Sequence, residues 1–226
     1  MKRFSIILAL ALCVLGSFSA SAGGFKYGDG FKIGVVGIAD YSSMRYQGYR
    51  PSAYLTGGAG LAAQFNLDCG ISVQPEILYN RKRAAMASFL AGTQLEKINN
   101  MVGYLEVPVM VSIGVDMGHH RPFAFLQPYF GYGIDCESVL ATTTSRMERH
   151  NKWDSQNLSR TEYGIGLGAG VDFRHLQFRI QYSKNFNPLC QLPNSVGGAD
   201  PIYLINSYTL KNTSYGSLQL VMGLFF

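Results

Sequence analysis

Two glutamates, Glu76 and Glu106, lie in comparable settings, Gln74-Pro75-Glu76 and Tyr104-Leu105-Glu106. Paired carboxylates are the equipment of acid–base catalysis, above all of glycoside hydrolysis. A second candidate is the adjacent pair His119-His120. Neighbours on a strand point to opposite faces, and no Cys or carboxylate cluster completes a ligand set, so a solvated turn is expected there and no metal. Asp116, His119 and a nearby Ser would be the parts of a lipid-modifying hydrolase, but no G-x-S-x-G nucleophile motif occurs. The glycine run from Gly164 to Gly170 lacks the Lys-Ser/Thr ending of a phosphate loop. What these residues can do depends on the elements that carry them.

Those elements alternate with period two. Leu176, Phe178, Ile180 and Tyr182 interleave with Gln177, Arg179, Gln181 and Ser183, one oily face against one polar face. The same reading sets Leu105, Val107, Val109, Val111 and Ile113 against Tyr104, Glu106, Pro108, Met110 and Ser112. Ile165, Leu167, Ala169 and Val171 alternate with Gly164, Gly166, Gly168 and Gly170. Eight strands are predicted, near 31–41, 53–66, 70–82, 101–115, 123–136, 160–173, 176–187 and 212–226. Their connections alternate between long (42–52, 83–100, 137–159, 188–211) and short (67–69, 116–122, 174–175), as in an up-and-down barrel. Pro75, Pro108 and Pro128 fall within the drawn strands, which implies either local bulges or strands shorter than drawn. The 83–100 loop also admits a short amphipathic turn through Leu90, Leu95 and Ile98.

Composition agrees. The 226 residues include 26 Gly, 14 Tyr and 14 Phe with only 15% charged, too few for an ordinary soluble enzyme. Beyond the N-terminus no run of about 20 apolar residues is long enough for a membrane helix. Lys2 and Arg3, the apolar stretch Phe4 to Leu15 and the small residues Ala20-Ser21-Ala22 form a secretory signal, with cleavage expected after Ala22. The domain reading is therefore a signal peptide over 1–22 and one barrel domain over 23–226. Cleavage lowers the formal charge of +5 by two and leaves the basic residues scattered, so nucleic acid is not an expected partner. Cys69, Cys136 and Cys190 remain, an odd number without metal-ligand spacing.

A soluble lipocalin-like barrel would point its apolar face inward. Here the other face carries Glu76, Glu106, Gln127, Arg179 and Gln181, which are costly in an apolar cup, so lipid is placed outside. Tyr41, Tyr54, Phe65, Phe173 and Tyr215, near strand ends, fit either interfacial girdles or plain β-propensity. Lys32, Glu76, Glu106 and Arg179 then fall inside the barrel as an internal salt-bridge network, which is preferred over the catalytic reading of the glutamates. Trp153, the only Trp, lies in the polar 137–159 loop as a candidate contact for a partner, or as a residue packed on the loop's own base.

Three segments go further: Gln74-Pro75-Glu76-Ile77-Leu78-Tyr79, Tyr104-Leu105-Glu106-Val107-Pro108 and Gln127-Pro128-Tyr129-Phe130-Gly131-Tyr132-Gly133. Together with the terminal Leu224-Phe225-Phe226 they resemble the PorT-like outer-membrane β-barrel family. Arg81-Lys82-Arg83-Ala84, where that family often has a Lys-Gly step, and Phe186-Asn187-Pro188-Leu189, where a Gly-Leu pair is common, depart from its pattern at the loop-side strand ends. The resemblance implies a barrel and, through the family's namesake, an association with protein secretion.

The expectation is an all-β, eight-stranded antiparallel up-and-down transmembrane β-barrel in the outer membrane. Termini and short turns would be periplasmic and the long loops extracellular. It would be a non-enzymatic structural or interaction protein, an accessory of secretion or envelope assembly, monomeric, without cofactor, with outer-membrane lipid and an envelope or secretion protein as partners. The alternatives are a small pore or surface-ligand binder and, further off, a lipid-modifying enzyme.

Overall fold

Strand alternation closes on itself. The computed structural model describes residues 30–44, 54–67, 70–90, 94–141, 146–151, 153–190, 202–203 and 214–226. The signal segment 1–22 with its cleavage point after Ala22, Cys69, and most of the first and last long loops lie outside the described residues. The strands are β1 (Phe31–Met44), β2 (Tyr54–Asn66), β3 (Ile71–Leu90), β4 (Gln94–Gly114), β5 (His120–Ala141), β6 (Arg146–His150), β7 (Thr161–Phe173), β8 (Leu176–Asn185) and β9 (Tyr215–Phe225). A single helical turn, α1 (Trp153–Gln156), precedes β7.

Each strand pairs antiparallel with its neighbour, β5 passes to β7, and β1 pairs with β9 from Gly34↔Phe225 to Met44↔Tyr215. That last pairing makes a closed barrel of eight strands. β6 is a ninth, short strand that adds only to the loop end of β5, from Glu137↔His150 to Ala141↔Arg146.

The faces sort as the alternation requires. Leu176, Phe178, Ile180 and Tyr182 are exposed outward, as are Leu218, Leu220, Met222 and Leu224, while Gln177, Arg179, Gln181, Ser217 and Gln219 are buried. Polar residues thus occupy the interior and apolar ones the outer wall, the inverse of a soluble domain and the arrangement of a barrel with lipid outside.

Two expectations are corrected. Residues 83–90 and 94–100, expected as a loop that admits a short amphipathic turn, are strand: β3 and β4 stay paired through Ala84↔Asn100 to Leu90↔Gln94. The stretch Ala84 to Ala87 lacks alternation, because above a membrane a sheet has no lipid face to mark, so the pattern stops before the strand does. Bulges do not sit at the prolines either. Register is unchanged past Pro75, Pro108 and Pro128, although the ladder skips the two positions after Pro75 and after Pro108. Among the described residues the one shift falls between Gly103 and Tyr104. On the turn side, Gly118 adopts φ 86° and its N–H reaches Asp116 Oδ1 at 2.7 Å, an Asx turn that places both His119 and His120 in solvent.

Leu220, 60% exposed in the middle of β9, tests the lipid assignment. Leu220→Arg is expected to cost about 2–4 kcal/mol in phospholipid vesicles, measured by urea unfolding; a change within about 0.5 kcal/mol would mean that this face meets water.

Candidate functional site

The inward side chains form three tiers. At the turn end, Arg121 donates to Asp172 Oδ2 at 3.0 Å, to Ser72 Oγ at 3.3 Å and to the carbonyl of Gly70 at 2.5 Å. Asp172 also accepts from Gln177 at 2.8 Å and from Gln64 at 3.3 Å. In the middle, Arg179 grips Glu76 with both terminal nitrogens, at 2.6 and 2.8 Å, and neither side chain is exposed at all. Such a bidentate, charge-assisted pair is the strongest kind of side-chain contact. Gln74 adds a bond to Glu76 Oε1 at 2.6 Å, and the guanidinium lies over Phe125.

The third tier centres on Lys82, which contacts Glu106 Oε1 at 2.8 Å and Glu162 Oε1. The rings of Tyr104 and Tyr129 flank its ammonium at 5.6 and 5.1 Å. Asn80 Nδ2 donates to Glu106 at 3.4 Å and to Asp40 Oδ2 at 3.2 Å, and Gln219 donates to the same Asp40 oxygen at 2.6 Å. The void beside this tier, lined in part by Lys82, Glu106, Gln127 and Tyr129, is about 10 Å³, room for about one water.

Above the tiers sits an apolar cap. Val102, Tyr104, Cys136, Leu140, Trp153, Leu158, Leu189, Cys190 and Ile202 pack together. Trp153 is only 6% exposed. Its ring fills the space where a Cβ on Gly133 would stand, and Arg160 lies over it at 5.4 Å and over Tyr132 at 5.1 Å. Tyr104 Oη donates to the Ser159 carbonyl at 3.3 Å, and Ser159 N to the Leu189 carbonyl at 2.7 Å, which ties two loop-side connections to the barrel mouth. Cys136 and Cys190 are both buried; burial pushes the Cys190 thiol well up from its usual range and keeps it protonated.

Of the four charges expected inside, the structure brings Glu76 and Arg179 together and sets Glu106 on Lys82. Lys32 is not in these tiers: it is half-buried at the turn end, where it donates to the Arg174 carbonyl at 3.1 Å. Lys82, Glu162, Asp40, Arg121 and Asp172 were not singled out from sequence. Strand parity would have found them, since Lys82 shares its face with Gln74, Glu76 and Asn80. The triple Arg81-Lys82-Arg83 disguised it as a solvated loop end.

A family model described as the outer membrane protein beta-barrel domain matches residues 22–191. The chain belongs to that family. No curated protein matches it. Among solved structures, Ail of Yersinia pestis, described in complex with the heparin analogue sucrose octasulfate, is similar at 11% identity with TM-score 0.44, covering 88% of this chain and 100% of that one. A major outer membrane protein of Thermus thermophilus is similar at 12% identity with TM-score 0.43, with 88% and 100% covered. Neisserial surface protein A stands at 13% and 0.41, with 88% and 98% covered.

As an outer membrane barrel, this chain engages both oxygens of Glu76 with Arg179, and the void that Glu106 lines is about 10 Å³. Glu76→Ala leaves Arg179 buried without its partner and is expected to cost about 3–5 kcal/mol in detergent micelles. Glu106→Ala should cost less, about 1–3 kcal/mol, because Lys82 keeps Glu162; equal losses would contradict the tier assignment. Gly133→Val should expel the only Trp, read as a red shift of Trp153 emission in the folded protein, with an unshifted spectrum counting against the slot.

Proposed function

We propose that this protein is a non-conducting interaction protein of the outer membrane, of the PorT-like kind, which serves as an accessory to protein secretion or envelope assembly. The observation that carries this reading is the filled interior. Among the described residues three hydrogen-bonded tiers and an apolar cap occupy the interior, and the void beside the Lys82 tier, about 10 Å³, holds a water but not a solute. An eight-stranded interior is just wide enough for side chains, so the small-pore reading is disfavoured. Residues 1–22 act as the signal peptide, cleaved after Ala22, and 23–226 form a monomeric barrel without enzymatic activity.

In this reading the termini and short turns face the periplasm and the loop side faces outward. Recognition then belongs to the exposed elements. The sheet β3–β4–β5–β6 rises past the Lys82 tier, and its last strand presents Arg146, Glu148 and His150 to solvent. Trp153 supports that platform from beneath and does not make the contact itself.

The test is photo-crosslinking in living cells with probes at His150 on β6 and at His119 in the turn, together with planar-bilayer recording of the purified protein. A discrete protein adduct at 119 supports an assembly partner on the turn side, and one at 150 supports surface recognition. Stable single-channel steps, or no adduct at either site, would overturn the proposal.

A further inference from the structure

The buried charges do not balance. Among the described residues the interior holds five buried carboxylates, Asp40, Glu76, Glu106, Glu162 and Asp172, against three buried cations, Lys82, Arg121 and Arg179. Arg121 serves Asp172, Arg179 serves Glu76, and Lys82 is shared by Glu106 and Glu162. Asp40 has no salt bridge among the described residues. It is 0% exposed, and its two hydrogen-bond donors, Asn80 and Gln219, are neutral amides that both address Oδ2.

Asp40, its strand neighbour Ser42 and its hydrogen-bond partner Asn80 each also carry an unsatisfied oxygen. Asp40 Oδ1, Ser42 Oγ and Asn80 Oδ1 are buried without a hydrogen-bond partner, and all three residues are 0% exposed. Asp40 and Ser42 lie two residues apart on the inward face of β1. Asn80 is joined directly to Asp40 through Nδ2, which also reaches Glu106. That double donation fixes the amide, so its Oδ1 is left as an acceptor. Lys82 acts on Asp40 only from beyond salt-bridge distance and is already shared by Glu106 and Glu162, so this buried carboxylate is costly, as is each orphaned acceptor.

We propose that Asp40, Ser42 and Asn80 form an internal binding site for one hard monovalent cation, of the sodium or potassium kind. A proton would neutralise Asp40 but engage a single oxygen. A cation supplies the missing charge and coordinates several oxygens at once, and hard oxygen donors suit such ions. Among the described residues no group of three or more His, Cys, Asp or Glu could hold a metal ion; one carboxylate with neutral oxygens is a donor set for a singly charged ion. The ion would pin β1 to β3 near the Lys82 tier, where Lys82, Glu106, Glu162 and Tyr129 are the neighbouring titratable groups.

The test is thermal unfolding of the purified protein in detergent at constant ionic strength, with sodium or potassium chloride replacing choline chloride, at neutral and mildly acidic pH. Binding to the folded state raises the midpoint with the logarithm of cation concentration, by a few degrees for each tenfold increase. Asp40→Asn should abolish that dependence. Should Asp40→Asn not fold, Ser42→Ala removes a ligand oxygen without changing charge, and the midpoint should then begin to rise only at higher cation concentration. A midpoint indifferent to the cation, a dependence retained unchanged in either variant, or full stabilisation by acid alone would overturn the site.

Discussion

Every backbone N–H and C=O of a strand in lipid needs a partner within the protein, and an open edge leaves a row of them bare at several kcal/mol each. The pairing of β1 with β9 answers that constraint. It joins the two ends of the barrel sequence over eleven positions, from Gly34↔Phe225 to Met44↔Tyr215, so no edge is left within the barrel wall. The choice of eight strands has a further consequence. Such a barrel is narrow, and its inward side chains meet across the axis, so whatever faces inward becomes the core.

That core is polar, and its cohesion is accordingly directional. Arg179 and Glu76 connect β8 to β3, Arg121 and Asp172 connect β5 to β7, and Lys82 connects β3 to β4 and β7. A one-residue slip of any strand would turn these groups into lipid and apolar ones into the interior. The ion pairs are thus better understood as fixing register than as adding net stability, since buried pairs recover little beyond their desolvation cost. Glycines make the spacing workable. A Cβ at Gly168 would collide with the Ile180 carbonyl and stand 2.8 Å from the Phe125 ring, which in turn lies against Arg179.

The barrel was legible because the lipid boundary imprints alternation: Leu176 to Ser183 and Leu105 to Ile113 could be assigned to faces residue by residue. Where that boundary ends, so does the imprint. Ala84 to Leu90 and Gln94 to Asn100 pair as strands without any alternating signature, and β6 lies in a stretch that reads as a polar loop. The inner network was half legible. Glu76 and Arg179 sit mid-strand, where parity is unambiguous, whereas Lys82 lies between two arginines that face outward. Lys32 shows the reverse limit: parity places it on the inner face, but it is near the start of β1, where it donates to the Arg174 carbonyl outside the three tiers.

The cap and the projecting sheet divide the molecule's tasks. β3 and β4 continue for eight residues beyond Lys82 to the Leu90↔Gln94 pair, about 25 Å of strand at roughly 3.3 Å per residue. This extension is continuous with the wall, so its outer residues are held on a rigid support rather than on a loop. Between the two lies the packing of Trp153, Leu158 and Leu189, with Ser159 bonded to Leu189 and Tyr104. Because that layer is apolar, it separates the charged interior from the exposed sheet. Substitutions on β6 therefore leave the ion-pair tiers untouched, and surface chemistry can vary without affecting what holds the barrel together.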